Sequence, residues 1–165
     1  MKFLVAHRRK ATDDPGLARP DGGAPRLDAV HAAWMVAVLF YVIAAFHAAL
    51  VLGARWGALT QGDGASGALS TSGRIAAAVS CVISVVMANA ILARIGRGPL
   101  GVRPSRLATV LAWFTMVYAV IAVILNLITR SSAERALWAP VSLVLLGLIT
   151  YVMVATHHND VTPEA

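Results

Sequence analysis

The sequence predicts an all-α fold, a membrane-spanning bundle of four helices, and three observations carry that prediction. Four apolar runs, Val30 to Leu52, Ile75 to Ile95, Leu107 to Ile128 and Leu137 to Ala155, each approach the ~20 residues that cross a hydrocarbon core about 30 Å thick. Only His31, His47 and the terminal Arg94 bring an ionisable acid or base into any of them. The third is composition. With 58% apolar and 13% charged residues and a mean hydropathy of +0.72, a chain of 165 residues has too little polar surface for a soluble domain. Lipid offers no water to free backbone groups, and Leu- and Ala-rich runs of this length are unlike the short alternating strands of a barrel, so the spans are helical.

Residues 1–28 precede the first span. Lys2, Arg8, Arg9, Lys10, Arg19 and Arg26 stand there among Pro15, Pro20 and Pro25, with no apolar periodicity after Val5, which reads as a disordered basic tail. Its opening, Met1 to Ala6, resembles the start of a signal peptide. The apolar stretch is only four residues where about 7 to 15 are needed, so no cleavage is expected.

The domain proper is 29–156, with helices at about 30–52, 75–95, 107–128 and 137–155, and 157–165 forms a second short tail. Between the first two helices, Ala54 to Gly73 is rich in Gly, Ser and Thr and holds one acidic residue, Asp63, which makes it a flexible loop too small for a domain. Between the last two, Ser131 stands three residues before Glu134, the spacing at which Ser caps a helix and Glu returns the bond. The fourth helix therefore begins near Ser132, ahead of its apolar run, and Pro140 falls about two turns in, where it kinks the helix or separates an interfacial turn from the true span.

Basic residues set the orientation. Six lie in the N-terminal tail, two in the first loop (Arg55, Arg74), four in the second (Arg94, Arg97, Arg103, Arg106) and two in the third (Arg130, Arg135). Ten of the fourteen are thus on the side of the tail and second loop, which the positive-inside rule makes cytoplasmic, with both termini. This topology accounts for the net charge of +6 without a nucleic-acid partner. Twelve of the fourteen are Arg and Ala is abundant, as in a GC-rich bacterial genome, so the expected location is the bacterial inner membrane.

Polar groups are costly in lipid, so their helical phase marks the inward faces. Ala108, Ala112, Thr115, Ala119, Ala122 and Asn126 recur at spacings of four and three on the third helix. Ala33, Ala37, Phe40, Ala44 and His47 form a similar stripe on the first, and Ala77, Ser80, Ser84 and Ala88 on the second. Small residues at such spacing bring backbones close, and these are the expected seams. His47 and Asn126 fall at similar depths near the outer ends of their helices, which predicts that they face each other, directly or through water. His47 is then either a structural donor to Asn126, Ser or a carbonyl, or part of a ligand or proton site. Asn89, in the inner half of the second helix, is either interhelical glue or a pocket-lining group. Trp56 and Trp138, at the outer helix ends, are expected as interface anchors.

Several chemistries lack their residues. Every Asp and Glu lies in a tail or loop, against a simple proton-driven exporter. His31 and His47 are sixteen apart on one helix, against two-His haem ligation within one subunit, and no cofactor is expected. Cys81 is the single cysteine, so no intrachain disulfide forms. His157 and His158 with Asp160 would hold a metal only weakly. No phosphate loop, zinc-peptidase signature or nucleophile elbow occurs, and the expectation is no enzyme.

The run Gly53-Ala54-Arg55-Trp56-Gly57, with Gly67-Ala68-Leu69 and Arg74-Ile75-Ala76 after it, resembles the first loop of a group of uncharacterised small four-helix bacterial membrane proteins. Asn126 to Ser131, then Glu134-Arg135 and Trp138-Ala139-Pro140-Val141, is similar to that group's junction between helices three and four. The resemblance covers roughly 31–155. It implies the same topology and no activity. Both motifs fall on the outer side, where it implies that His47, Trp56, Asn126, Arg130, Glu134 and Arg135 gather. Two functional readings follow. The first is a non-enzymatic accessory protein that works through a membrane-protein partner or a second copy of itself. The alternative is a bundle that binds or transports a ligand or solute through the cluster around His47 and Asn126.

Overall fold

The computed structural model describes residues 27–60, 67–100 and 106–157. Four α-helices make up the fold: α1 (Leu27–Val51), α2 (Thr71–Arg94), α3 (Arg106–Ile128) and α4 (Ser132–Thr156), with a short 3-10 turn at Gly57–Leu59 in the first loop. Each helix is long and apolar enough to cross a membrane. Residues 1–26 and 158–165, which hold most of the two expected tails and His158 and Asp160, lie outside the described residues.

All four helices start earlier than their apolar runs, α3 by a single residue, and caps explain two of them. Ser70 precedes α2 and its Oγ accepts from Gly73 N at 3.2 Å, so part of the Ser- and Gly-rich loop is a helix cap. Ser131 does the same for α4, accepting from Glu134 N at 3.2 Å. The return bond differs from expectation. Glu134 Oε2 accepts from Thr129 Oγ1 at 2.8 Å, reaching past its own cap to the end of α3. In α1, Leu27 and Asp28 are helical rather than tail, with Asp28 in the first turn, where the helix dipole favours a carboxylate. α4 remains one helix through Pro140.

Helix C-termini are closed by glycine or by arginine. Gly53 (φ 103°) and Gly96 (φ 69°) follow α1 and α2 in the left-handed region. Around them Ala54 N donates to Ala49 O and Gly53 N to Leu50 O, and Arg97 N donates to Leu92 O and Gly96 N to Ala93 O. These paired bonds are Schellman closures, which require a residue at positive φ. Arg74 on α2 donates twice to Val51 O, the last residue of α1, at 2.9 and 2.6 Å. Arg94 donates to Thr156 O at the end of α4, and Arg135 to Thr129 O just after α3. Guanidinium groups on terminal carbonyls satisfy orphan acceptors and oppose the negative end of the dipole.

The helices form a ring in which α1 neighbours α2 and α4, and α3 neighbours the same two. α1 and α2 share the longest contact, α2 and α4 touch across one diagonal, and α1 and α3 hardly meet across the other. The small-residue stripes are the seams: Ala33, Ala37, Phe40, Ala44, Ala77, Ser84, Ala88, Ala108, Ala112, Thr115 and Ala119 are all buried. Hydroxyl groups within the spans bond mainly along their own helices. Ser84, Thr115, Ser142, Thr150 and Thr156 donate to carbonyls three or four residues back on their own helices.

Only 28% to 39% of the most apolar stretch of each helix lies inside the bundle. Outside are Trp34, Val38 and Val42 on α1, Val79 and Val82 on α2, Trp113, Val117 and Ile121 on α3, and Leu143, Val144 and Tyr151 on α4. An apolar girdle of this extent is compatible with a multi-pass membrane protein. Trp34, Trp113 and Tyr151 lie about two turns or less from the helix ends at the α2–α3 loop, all on the exposed surface.

Candidate functional site

At the opposite end, that of the α1–α2 and α3–α4 loops, the bundle does not close. A cavity of about 180 Å³ opens there between the diagonal helices α1 and α3. Helical spacing selects its walls. α1 contributes Phe40, Ile43 and His47, α3 contributes Tyr118, Ala122 and Asn126, and α4 contributes Glu134, Trp138, Val141, Ser142 and Leu145. On each helix these follow steps of three and four, so they lie on one face. Ser84 of α2 completes the wall, and Thr60, just after the 3-10 turn, stands at the mouth.

The first loop is fastened over this mouth. Trp138 Nε1 donates to Leu59 O at 2.6 Å and Ser131 Oγ to Ala58 O at 3.4 Å, while Gly57 N donates to Gly67 O at 3.1 Å and draws the loop's own ends together. Rings stiffen the same corner. Phe46 stacks on Trp56 with centroids 5.8 Å apart, and its face meets Trp138 edge-on at 5.1 Å and His47 at 5.5 Å.

The residues expected to gather here divide into two sets. His47, Asn126 and Glu134 line the cavity together. Trp56 is half exposed and reaches the site only through Phe46, Arg130 is exposed, and Arg135 is exposed with its guanidinium on Thr129 O. Asn89 lies toward the other end of the bundle, and its amide donates to Val85 O of its own helix at 2.8 Å, with Oδ1 beside the Gly98 turn. Trp138, expected as an interface anchor, instead turns inward as a wall of the cavity.

His47 and Asn126 face one void without bonding each other. His47 Nδ1 is 2.9 Å from Ile43 O, one turn back on α1. The carbonyl can only accept, so Nδ1 carries a hydrogen and the ring's orientation is held. Four wall residues had no signal as isolated letters: Thr60, Tyr118, Ser142 and, in this role, Trp138. Their signal was phase, since Trp138 and Ser142 stand four and eight residues after Glu134, and Tyr118 stands eight before Asn126.

Compared with known protein families, with curated proteins and with solved structures, the chain matches none. The site itself therefore carries the functional reading.

Proposed function

We propose that this chain is a multi-pass protein of the bacterial inner membrane that works by non-covalent binding, holding a small ligand or solute in the cavity between α1 and α3. The single observation that carries this is a void of about 180 Å³ into which His47, Asn126 and Glu134, from three different helices, all face. Polar side chains at membrane depth are costly unless they are used, and ligand sites in helical bundles are built from facing helices in this way. The basic tail and second loop support a cytoplasmic location for both termini, which turns the cavity outward. The resemblance to small four-helix bacterial membrane proteins fits the same topology and adds no activity. The sequence carries no catalytic motif, which favours binding over a reaction.

The test is mass spectrometry, for proteins and small molecules, of the tagged full chain purified in mild detergent from its native membrane. The expected result is a small molecule that co-purifies and is lost in His47→Ala while thermal unfolding is unchanged. A stoichiometric protein partner with no small molecule would instead favour the accessory-subunit reading. Loss of fold in His47→Ala would make that residue structural.

A further inference from the structure

We infer that the cavity takes an organic cation, a small protonated amine held by its N–H groups. This rests on the binding reading above and adds the chemical class of the ligand. The protein's own hydrogen bonds supply the argument, because a carbonyl oxygen only accepts and so reveals where each partner's hydrogen lies.

His47 gives its Nδ1 hydrogen to Ile43 O, which leaves the neutral ring with a lone pair on Nε2. Ser84 Oγ donates to Ser80 O at 2.8 Å and Ser142 Oγ to Ala139 O at 3.0 Å, so each hydroxyl retains only lone pairs. Trp138 has one N–H, and it goes to Leu59 O. The indole that lines the cavity therefore has no N–H left for a guest. Glu134 accepts one hydrogen from Thr129 through Oε2, and a carboxylate has acceptor sites left over. Among the described residues it makes no ion pair. Wall groups of α1, α2 and α4 have thus all been converted to acceptors or ring faces. Asn126, Tyr118 and Thr60 keep donors, but each also carries an acceptor oxygen.

An anion here would meet a carboxylate and a set of lone pairs. A ligand with several N–H donors and a positive charge meets partners on every wall, and Trp138 and Tyr118 add the electron-rich faces that attract ammonium groups. The nearby cations do not reverse this, since neither Arg130 nor Arg135 lines the cavity. A metal ion fits less well, because no three His, Cys, Asp or Glu side chains gather among the described residues, and metals of the hard or borderline class take more ligands than one carboxylate and one imidazole. The void slightly exceeds the ~150 Å³ cavity that accommodates benzene, which sets the size of the guest. Glu134, in the first turn of α4, places the carboxylate near the mouth, and Ser142 lies about 12 Å further along the helix by its rise.

The experiment uses the full chain in lipid nanodiscs, with empty nanodiscs as the control for partitioning, and equilibrium dialysis against three probes of one shape: benzylammonium, benzyl alcohol and benzoate. The expected result is saturable binding of benzylammonium about tenfold or more tighter than the alcohol, with no binding of benzoate. Glu134→Gln is expected to weaken benzylammonium binding about tenfold and so remove its preference over the alcohol. Ala122→Phe, which fills the cavity, is expected to abolish benzylammonium binding and serves as the second variant where Glu134→Gln does not fold. Benzoate or benzyl alcohol binding as tightly as benzylammonium, and lost in Ala122→Phe, would overturn the cation class and leave the binding reading standing. Saturable benzylammonium binding that persists in Ala122→Phe would place the cation elsewhere and overturn the inference. No saturable binding of any probe would overturn both.

Discussion

The two ends of the bundle are built from the same four helices with the same kind of small-residue seam, yet one holds a polar cavity of about 180 Å³ and the other only a smaller apolar void of about 110 Å³ between α2 and α3, beside a fully packed centre. At the α2–α3 loop end, Ala33 and Val36 of α1, Ala88 and Ile91 of α2, Ala112 of α3, and Ile149 and Val152 of α4 are fully buried against one another. The charge of Arg94 at that end is tied in. Arg94 donates to Thr156 O at 3.1 Å, Thr156 Oγ1 at 3.2 Å and Thr109 Oγ1 at 3.5 Å, so one guanidinium from α2 holds α3 and α4. At the other end Arg74 ties α2 to α1, but the polar groups that line the cavity bond their own helices or the adjoining loops, and they still face a void. A polar group near the membrane is therefore not in itself a sign of function. What separates a clamp from a site is whether neighbouring helices take up its hydrogen-bonding capacity.

Four substitutions would break or sharpen this contrast. The largest effect is expected from Arg94→Ala, which removes charge-assisted bonds to two helices and leaves the α4 terminus uncapped, at a cost of about 3 kcal/mol. Thermal unfolding in detergent reads it, and an unchanged midpoint would show that the closed end does not depend on the clamp. Next comes a pair that tests packing directly. Ala88→Leu, in the filled end, is expected to destabilise by roughly 1–3 kcal/mol through overpacking. Ala122→Leu, on the wall of the cavity, is expected to shift stability by less than about 0.5 kcal/mol, because there is space for it. Equal costs for the two would mean that the ends are equally full. A similarly small effect is expected from His47→Ala, which removes one bond within α1 and should cost about 0.6 kcal/mol, the average for a polar contact in a helical membrane protein. A loss of several kcal/mol, measured by the same unfolding assay, would make His47 a structural group and align the open end with the closed one.

Much of the fold was legible in the residues. Asn126, His47 and Glu134 were each visible as polar letters in or beside apolar runs, and all three line the cavity. Trp56, Arg130 and Arg135 were grouped with them because they share a depth, and depth is only one coordinate. Rotation about the helix axis carries Arg135 to a terminal carbonyl and leaves Arg130 exposed. Asn89 shows the same limit, since its position in the run said nothing of the backbone carbonyl one turn away that takes its hydrogen. The start of α2 was hidden for a different reason. Ser70 and Gly73 belong to a Ser- and Gly-rich stretch that composition assigns to a loop, and only the cap geometry makes it a helix end.

By itself the sequence determined that there are four helices, that each is long and apolar enough to span, and which faces turn inward. Those properties follow from local physics: the thickness of a hydrocarbon core, the need of every backbone group for a partner, and the period of 3.6 residues. Only the tertiary structure decided that a polar cavity lies at one end and that Arg94 joins three helices at the other. It alone decided which hydrogens are taken up by carbonyls and which lone pairs are left facing a space. These depend on the rotation and crossing of all four helices at once, and no single helix encodes them.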